Sequence, residues 1–233
     1  DMFSVDLLKG HFENYLIIFK NFKIGQYLFN TLLVTVLKLV FTMPLAIFAS
    51  YAFAKLRFRG KNAMYPLIIS AMFIPFQVIM IPVYTMLTKL HMIDTYRGLI
   101  LVTGTIGIPS SIMLLSSSFR SIPNELLEAA AIDGCGYFRK IFHIMIPMGK
   151  PAIAICTIMG FISSWNDLLP PMVIIKSVNK RLVMPALDGL VSMYNADTPF
   201  QLTGILIAAV PAIAIYLILS KQIIMGISAG STK

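Results

Sequence analysis

Residues 121–151 read SIPNELLEAAAIDGCGYFRKIFHIMIPMGKP, a polar and amphipathic stretch between two strongly apolar ones. It concentrates Glu125, Glu128, Asp133, Arg139, Lys140 and His143 in a chain otherwise poor in charge. Its first half has the marks of a short helix. Pro123 suits a first turn, where no backbone N–H is required. Glu125 stands near the positive N-terminal end, and Gly134 is placed to stop the helix in a left-handed cap. At about 100° per residue, Leu126, Leu127, Ala130 and Ala131 share one face, and Glu125, Glu128 and Ile132 share the other. After the glycine, Tyr137, Ile141 and Ile144 recur at helical spacing, and Pro147 and Pro151 open the next apolar run. Two short helices joined at a glycine between membrane spans form a surface that another protein can grip.

Glu128-Ala129-Ala130, Gly134 four residues on, then Ile144, Ile146 and Pro147, resemble the "EAA loop" of the membrane subunits of ATP-binding-cassette importers. Ile122-Pro123-x-Glu125-Leu126-x-Glu128-Ala129-Ala130-x-Ile132-Asp133-Gly134 is similar to the carbohydrate-uptake, maltose-transporter-like branch of that family. One position departs: Ile146 stands where leucine is usual. The resemblance implies an all-α integral membrane protein with a type I importer transmembrane domain. It implies that Glu125, Glu128, Ala129, Ala130, Asp133, Gly134 and Pro147 form a coupling surface for an ATPase.

The rest of the chain provides the membrane context. It has 233 residues, 58% hydrophobic and 12% charged, against about a quarter charged in soluble domains. The formal charge of +9 lacks the basic cluster with interleaved aromatics that a nucleic-acid surface needs, so no nucleic-acid partner is expected. Cys135 falls in the polar loop and Cys156 in an apolar run, which argues against a disulfide. The histidines at 11, 91 and 143 are scattered, so neither a metal site nor a cofactor is expected.

A hydrocarbon core takes about 20 apolar residues of helix, and five runs qualify: 26–54, 63–88, 98–119, 151–165 extending toward Val173, and 198–220. They define a transmembrane domain over residues 26–225, with the loop at 121–151. A mixed lead-in over 1–25 lies outside the membrane or along its surface, and a tail covers 226–233. The loop Lys55-Leu56-Arg57-Phe58-Arg59-Gly60-Lys61 has four positive charges and no acid. The positive-inside rule makes it cytoplasmic. Alternation then puts 121–150 on the same side, 91–97 and 169–197 outside, and residue 1 outside. A chain that starts outside without a signal peptide fits an absent N-terminal span, and the resemblance implies six spans where five are legible.

Outside the loop, several residues stand out. Lys38 lies mid-span, where a charge must face a partner helix, a cavity or an acid. Few acids are available within the chain, so an intersubunit partner is the expectation. Trp165-Asn166-Asp167 resembles a stretch of sugar-importer permeases. Asn166 and Asp167 either line a sugar path together with Lys38 or cap the helix before Pro170. The resemblance implies that the outer loop 169–197, with Tyr194 and Asn195, meets a solute-binding protein; the alternative is that it packs on the subunit's own outer surface.

No Gly-x-x-x-x-Gly-Lys-Ser/Thr, HExxH or nucleophile elbow occurs, so ATP hydrolysis by the P-loop route belongs to another subunit. The resemblance implies as partners a second homologous permease, an ATPase dimer, an extracytoplasmic solute-binding protein, a sugar and the lipid bilayer. The place is a multi-pass position in a bacterial or archaeal cell membrane. Two other classes stay in view. A gradient-driven carrier needs ionisable groups or broken repeat helices near midplane, and Lys38 alone is a poor substitute. A non-transporting scaffold needs no glycine-hinged acidic loop.

Overall fold

The computed structural model describes residues 12–193, 201–215 and 217. These residues form helices and connectors, with no strand among them. Helix α1 (Phe12–Asn21) leads through a left-handed residue, Lys23, into α2 (Ile24–Lys55). α3 (Lys61–Ser70), α4 (Phe76–Lys89) and α5 (Tyr96–Arg120) follow. Then come α6 (Asn124–Ile132), α7 (Tyr137–Met148), α8 (Lys150–Trp165), α9 (Leu169–Ile174), α10 (Val183–Met193) and α11 (Gln201–Ile215). The tail 226–233 and residues 1–11 of the lead-in lie outside the described residues.

α2 and α5 are the axis of the bundle. At 32 and 25 residues they are about 48 and 38 Å long, longer than the roughly 30 Å hydrocarbon layer. α2 is built inside-out. Asn30, Thr31, Thr35, Lys38, Thr42 and Ser50 are buried, while Phe29, Leu32, Val36, Leu37 and Val40 face outward. That inversion suits a helix whose solvent is lipid: exposed apolar groups are at no cost there, and polar groups must find partners within the protein. They do. Thr42 Oγ1 donates to the Gly104 carbonyl at 3.4 Å, Ser50 Oγ to that of Ile112 at 3.3 Å, and Thr35 Oγ1 to Ser164 Oγ at 3.2 Å. The close approach of α2 to α5 depends on Gly104, where a Cβ would lie 2.7 Å from the Phe41 ring.

The run at 63–88 is not one straight span. α3 with its terminal turn and α4 meet at 98°. Pro75 is the cause: the residue before a proline is driven to extended backbone, and Ile74 at φ −90°, ψ 107° ends the helix. A second bend of 79° separates α7 from α8 at Gly149. A Cβ there would lie 2.5 Å from Phe119 and 2.8 Å from the Met145 carbonyl, so only glycine lets the loop turn against α5. Among the described residues two helices are long and apolar enough to cross a membrane, or up to four if each bent pair counts as one span. α11 is a shorter apolar helix within the fifth run.

Four hydrophobic clusters stack along α2. The one at the Lys55 end gathers Tyr51, Phe119, Ile122, Leu127, Ile141 and Met145. The one at the opposite end joins Ile24 and Tyr27 to Trp165, Val183 and Ile18 of α1. The described part of the lead-in is therefore docked on the bundle through Ile18, which is fully buried.

Candidate functional site

The loop at 55–61 and the stretch at 121–150 meet at one end of α2, and the loop at 91–97 meets the stretch after α9 at the other. At the Lys55 end, α6 begins after Pro123, whose ψ of 138° is still extended, so the helix starts one residue later than the proline's own position. It ends as expected: Gly134 is left-handed at φ +78°. The Gly134 N–H donates to the Ala131 carbonyl at 3.1 Å and the Cys135 N–H to that of Ala130 at 2.8 Å, the paired bonds of a Schellman cap.

The buried face of α6 is narrower than the sequence implied. Leu127 is buried in the Phe119–Met145 cluster and Ala130 is buried as well, whereas Leu126 and Ala131 are exposed. Ala130 is thus buried within the chain, unlike the other residues assigned to the coupling surface. Glu125, Glu128, Ala129, Ile132, Asp133 and Gly134 are exposed, as is Pro147. Ile132 is 87% exposed, an apolar side chain beside two free carboxylates. α7 carries a π-turn at Ile141–Met145, which turns Ile141 and Met145 into the core while Tyr137, Phe138 and Phe142 stay exposed. Such a turn displaces the helical register by one residue and recurs at functional segments.

Midway along α2, Lys38 Nζ lies 3.6 Å from Asp167 Oδ2, with side-chain exposures of 9% and 28%. The partner of Lys38 is therefore in its own chain, against the expectation of an intersubunit one. The pairing follows from the length of α8: its 16 residues reach only about 24 Å. The break at Asn166–Leu168 thus falls beside the middle of α2. The other members of that stretch do different work. Trp165 is buried, stacked on Phe161 at 5.4 Å, and its Nε1 donates to the Ala208 carbonyl at 3.0 Å. Asn166 is exposed and returns its amide to the Ile162 carbonyl at 2.9 Å. A cavity of about 270 Å³ opens beside Lys38 between α2, α5 and α8, with Thr42, Ser110, Ser111 and Ser163 on its wall.

At the opposite end a clamp appears that sequence reading missed. Asp94, left-handed at φ +58°, accepts from the Lys176 and Ser177 N–H groups at 2.9 Å each and from the Ser177 hydroxyl. Lys180 Nζ lies 3.3 Å from its carboxylate. From α2, Gln26 and Asn30 donate to the Asn179 carbonyl at 2.9 Å, and Thr31 Oγ1 accepts from the Val183 N–H at 2.8 Å. The described stretch 175–183 is thus pinned to the chain's own body. Tyr194 and Asn195 lie outside the described residues. A lone acid in a short loop, Asp94, was the available signal, but its partners are 82 to 86 residues away.

The Ser177 hydroxyl first, then the Ser177 N–H, hold the Asp94 carboxyl well below the usual carboxylate range, with smaller help from Lys176 and Lys180. The clamp's contribution is complete above about pH 4, the ordinary carboxylate value, and is lost only as pH falls through the lower folded value. Asp94→Ala at neutral pH removes the acceptor of two backbone N–H groups, at about 1 kcal/mol each. Amide exchange at Lys176 and Ser177 is expected to accelerate by about tenfold or more. In the wild type, acidification to about pH 4 should leave both amides protected. Unchanged exchange in the variant would remove the clamp.

Comparison with known proteins bears on this arrangement. A model of the family described as "binding-protein-dependent transport system inner membrane component" matches residues 42–225. The arabinooligosaccharides transport system permease protein AraQ of Bacillus subtilis (strain 168) is 30% identical over 223 residues, covering 95% of this chain and 79% of that protein. The diacetylchitobiose uptake system permease protein NgcG of Streptomyces coelicolor is 29% identical, covering 94% and 74%. Among solved structures, a bacterial ABC transporter involved in the import of the acidic polysaccharide alginate superposes with a TM-score of 0.77 at 25% identity, covering 89% of this chain and 78% of that one. A bacterial alginate ABC transporter in complex with an alginate pentasaccharide-bound periplasmic protein superposes at 0.72 and 16% identity, a likeness of fold.

Proposed function

This chain belongs to the family of binding-protein-dependent transport system inner membrane components and has the all-helical fold of a type I ATP-binding-cassette importer permease; on that premise we propose that it is one permease subunit of an ATP-driven oligosaccharide importer. It sits as a multi-pass protein in a bacterial or archaeal cell membrane, pairs with a second homologous permease, rests on an ATPase dimer and receives sugar from a solute-binding protein. The names of the two relatives, a transporter of arabinooligosaccharides and one of diacetylchitobiose, support the oligosaccharide class.

The observation that carries the coupling role is the geometry of α6. A Schellman-capped helix offers Glu125 and Glu128 to solvent at the end of the bundle where α2 and α5 also terminate. Exposed carboxylates on a helix with Ala129 beside them suit a groove lined by arginines, where charge-assisted bonds form. ATP binding closes the ATPase dimer and carries α6 with it. The bundle changes access because the two states differ in free energy when the ATPase is closed. The Lys38–Asp167 pair and the cavity beside Lys38 lie along the proposed route.

The test is uptake of labelled oligosaccharide into proteoliposomes holding the four-part importer. Uptake should require internal or external ATP on the ATPase side and should persist when an uncoupler collapses ion gradients. Uptake that stops with the gradient and ignores ATP would favour the gradient-driven class instead.

A further inference from the structure

The last residue of α2, Lys55, is one of four positive charges in a loop whose sign alone accounts for topology. Its position does more. Lys55 Nζ donates to the Ile122 carbonyl, to Asn124 Oδ1 at 2.8 Å and, more weakly, to the Arg120 carbonyl at 3.4 Å. An ammonium has three donors, and all three are engaged 65 to 69 residues away in sequence. Two of the acceptors are carbonyls at and just beyond the C-terminus of α5, where no helical partner exists. The third belongs to the first residue of α6. Burial lowers the Lys55 pKa below the ordinary lysine value, and the nearby charge of Glu125 opposes that shift without cancelling it. One side chain thus ties together the ends of α2 and α5 and the start of α6.

We propose that Lys55 is a positioning residue that latches α6 to α2, so that displacement of α6 by the ATPase is passed to the helix that carries Lys38. The inference rests on the importer reading above. Besides the latch, the start of α6 meets α2 through apolar packing, where Ile122 and Leu127 share a cluster with Tyr51. Apolar contacts are non-directional and permit sliding that three directed bonds to one ammonium do not.

The experiment uses the complete importer in proteoliposomes and reads sugar taken up per ATP hydrolysed. Lys55→Met should leave assembly and basal ATP hydrolysis near wild type and lower the uptake per ATP by about tenfold, the size of a typical coupling between linked sites. Lys55→Arg, which keeps charge and donors, should retain most of the coupling. Lys55→Met with Asn62→Lys restores the loop's charge at an exposed position and should stay uncoupled. Recovery in that double variant would reduce Lys55 to a topological charge and overturn the latch. Should Lys55→Met fail to assemble, Asn124→Ala removes one latch bond from an exposed residue and is expected to lower coupling partially. Wild-type coupling in Asn124→Ala and Lys55→Arg, together with loss of assembly in Lys55→Met, would likewise sink the proposal. Failure of the importer reading itself shows separately, as a wild-type protein that takes up no sugar with ATP.

Discussion

Glu128→Arg is expected to abolish co-purification with the ATPase while the chain still inserts in the membrane. Glu128 is exposed, and α6 is held on the bundle through the buried Leu127. Reversing its charge should therefore spare the fold. At the interface it replaces charge-assisted bonds, about 1.5–3 kcal/mol each, with repulsion between like charges. A loss of about 4 kcal/mol in all lowers affinity about a thousandfold. Gly134→Leu should act on the same readout by another route. No atom lies within 4 Å of the position a Cβ would take, so nothing clashes. The cost is in the backbone, about 1–2 kcal/mol for a non-glycine residue in the left-handed region, and relaxing it re-aims α6 relative to α7. Gly134→Asn, whose side chain tolerates that region, should bind almost normally and separates backbone strain from loss of a surface. Full ATPase binding by both Glu128→Arg and Gly134→Leu would remove α6 as the coupling element.

Asp167→Asn should destabilise the assembled protein more than the double variant Lys38→Met/Asp167→Asn does. The single change leaves an ammonium with 9% side-chain exposure and no counter-charge. Breaking a buried pair costs about 3–5 kcal/mol, and the lower end applies because the Asp167 side chain keeps 28% exposure. In the double variant both charges are gone, so most of that loss should return as a recovered unfolding midpoint. Uptake then separates two roles for the pair. If the double variant is stable and still fails to transport, the charges act in the path. If it transports, the pair serves packing alone. A single variant as stable as the double one would mean that the pair contributes nothing measurable.

Much of this was legible in the chain. Gly134 and its cap could be read because glycine in a left-handed C′ position is a local requirement of the backbone, settled within five residues. The helical runs at 26–54 and 98–119 were legible from apolar length, and α2 and α5 extend them by only a few residues. The break in the run at 63–88 was also written locally, in Pro75, but apolar continuity outweighed it in the reading. The buried face of α6 was drawn too wide because a helical wheel spreads apolar residues evenly. Which part of that arc is covered depends on what α5 and α7 present, here Phe119 and Met145.

By itself the sequence determined the helix content, the ends of the major helices and the acidic, glycine-capped helix that carries the family resemblance. Each of these rests on neighbours within a turn or two, or on composition averaged over a span. The tertiary structure decided who partners whom. Lys38 finds Asp167 at a separation of 129 residues, Lys55 finds Asn124 at 69, and Asp94 finds Ser177 at 83. No local rule encodes such pairs. In a lipid-facing bundle the apolar surface is nearly indifferent to orientation, and a helix rotates until its few polar groups are satisfied. Those polar partners, scattered along the chain and joined only by folding, fix the arrangement.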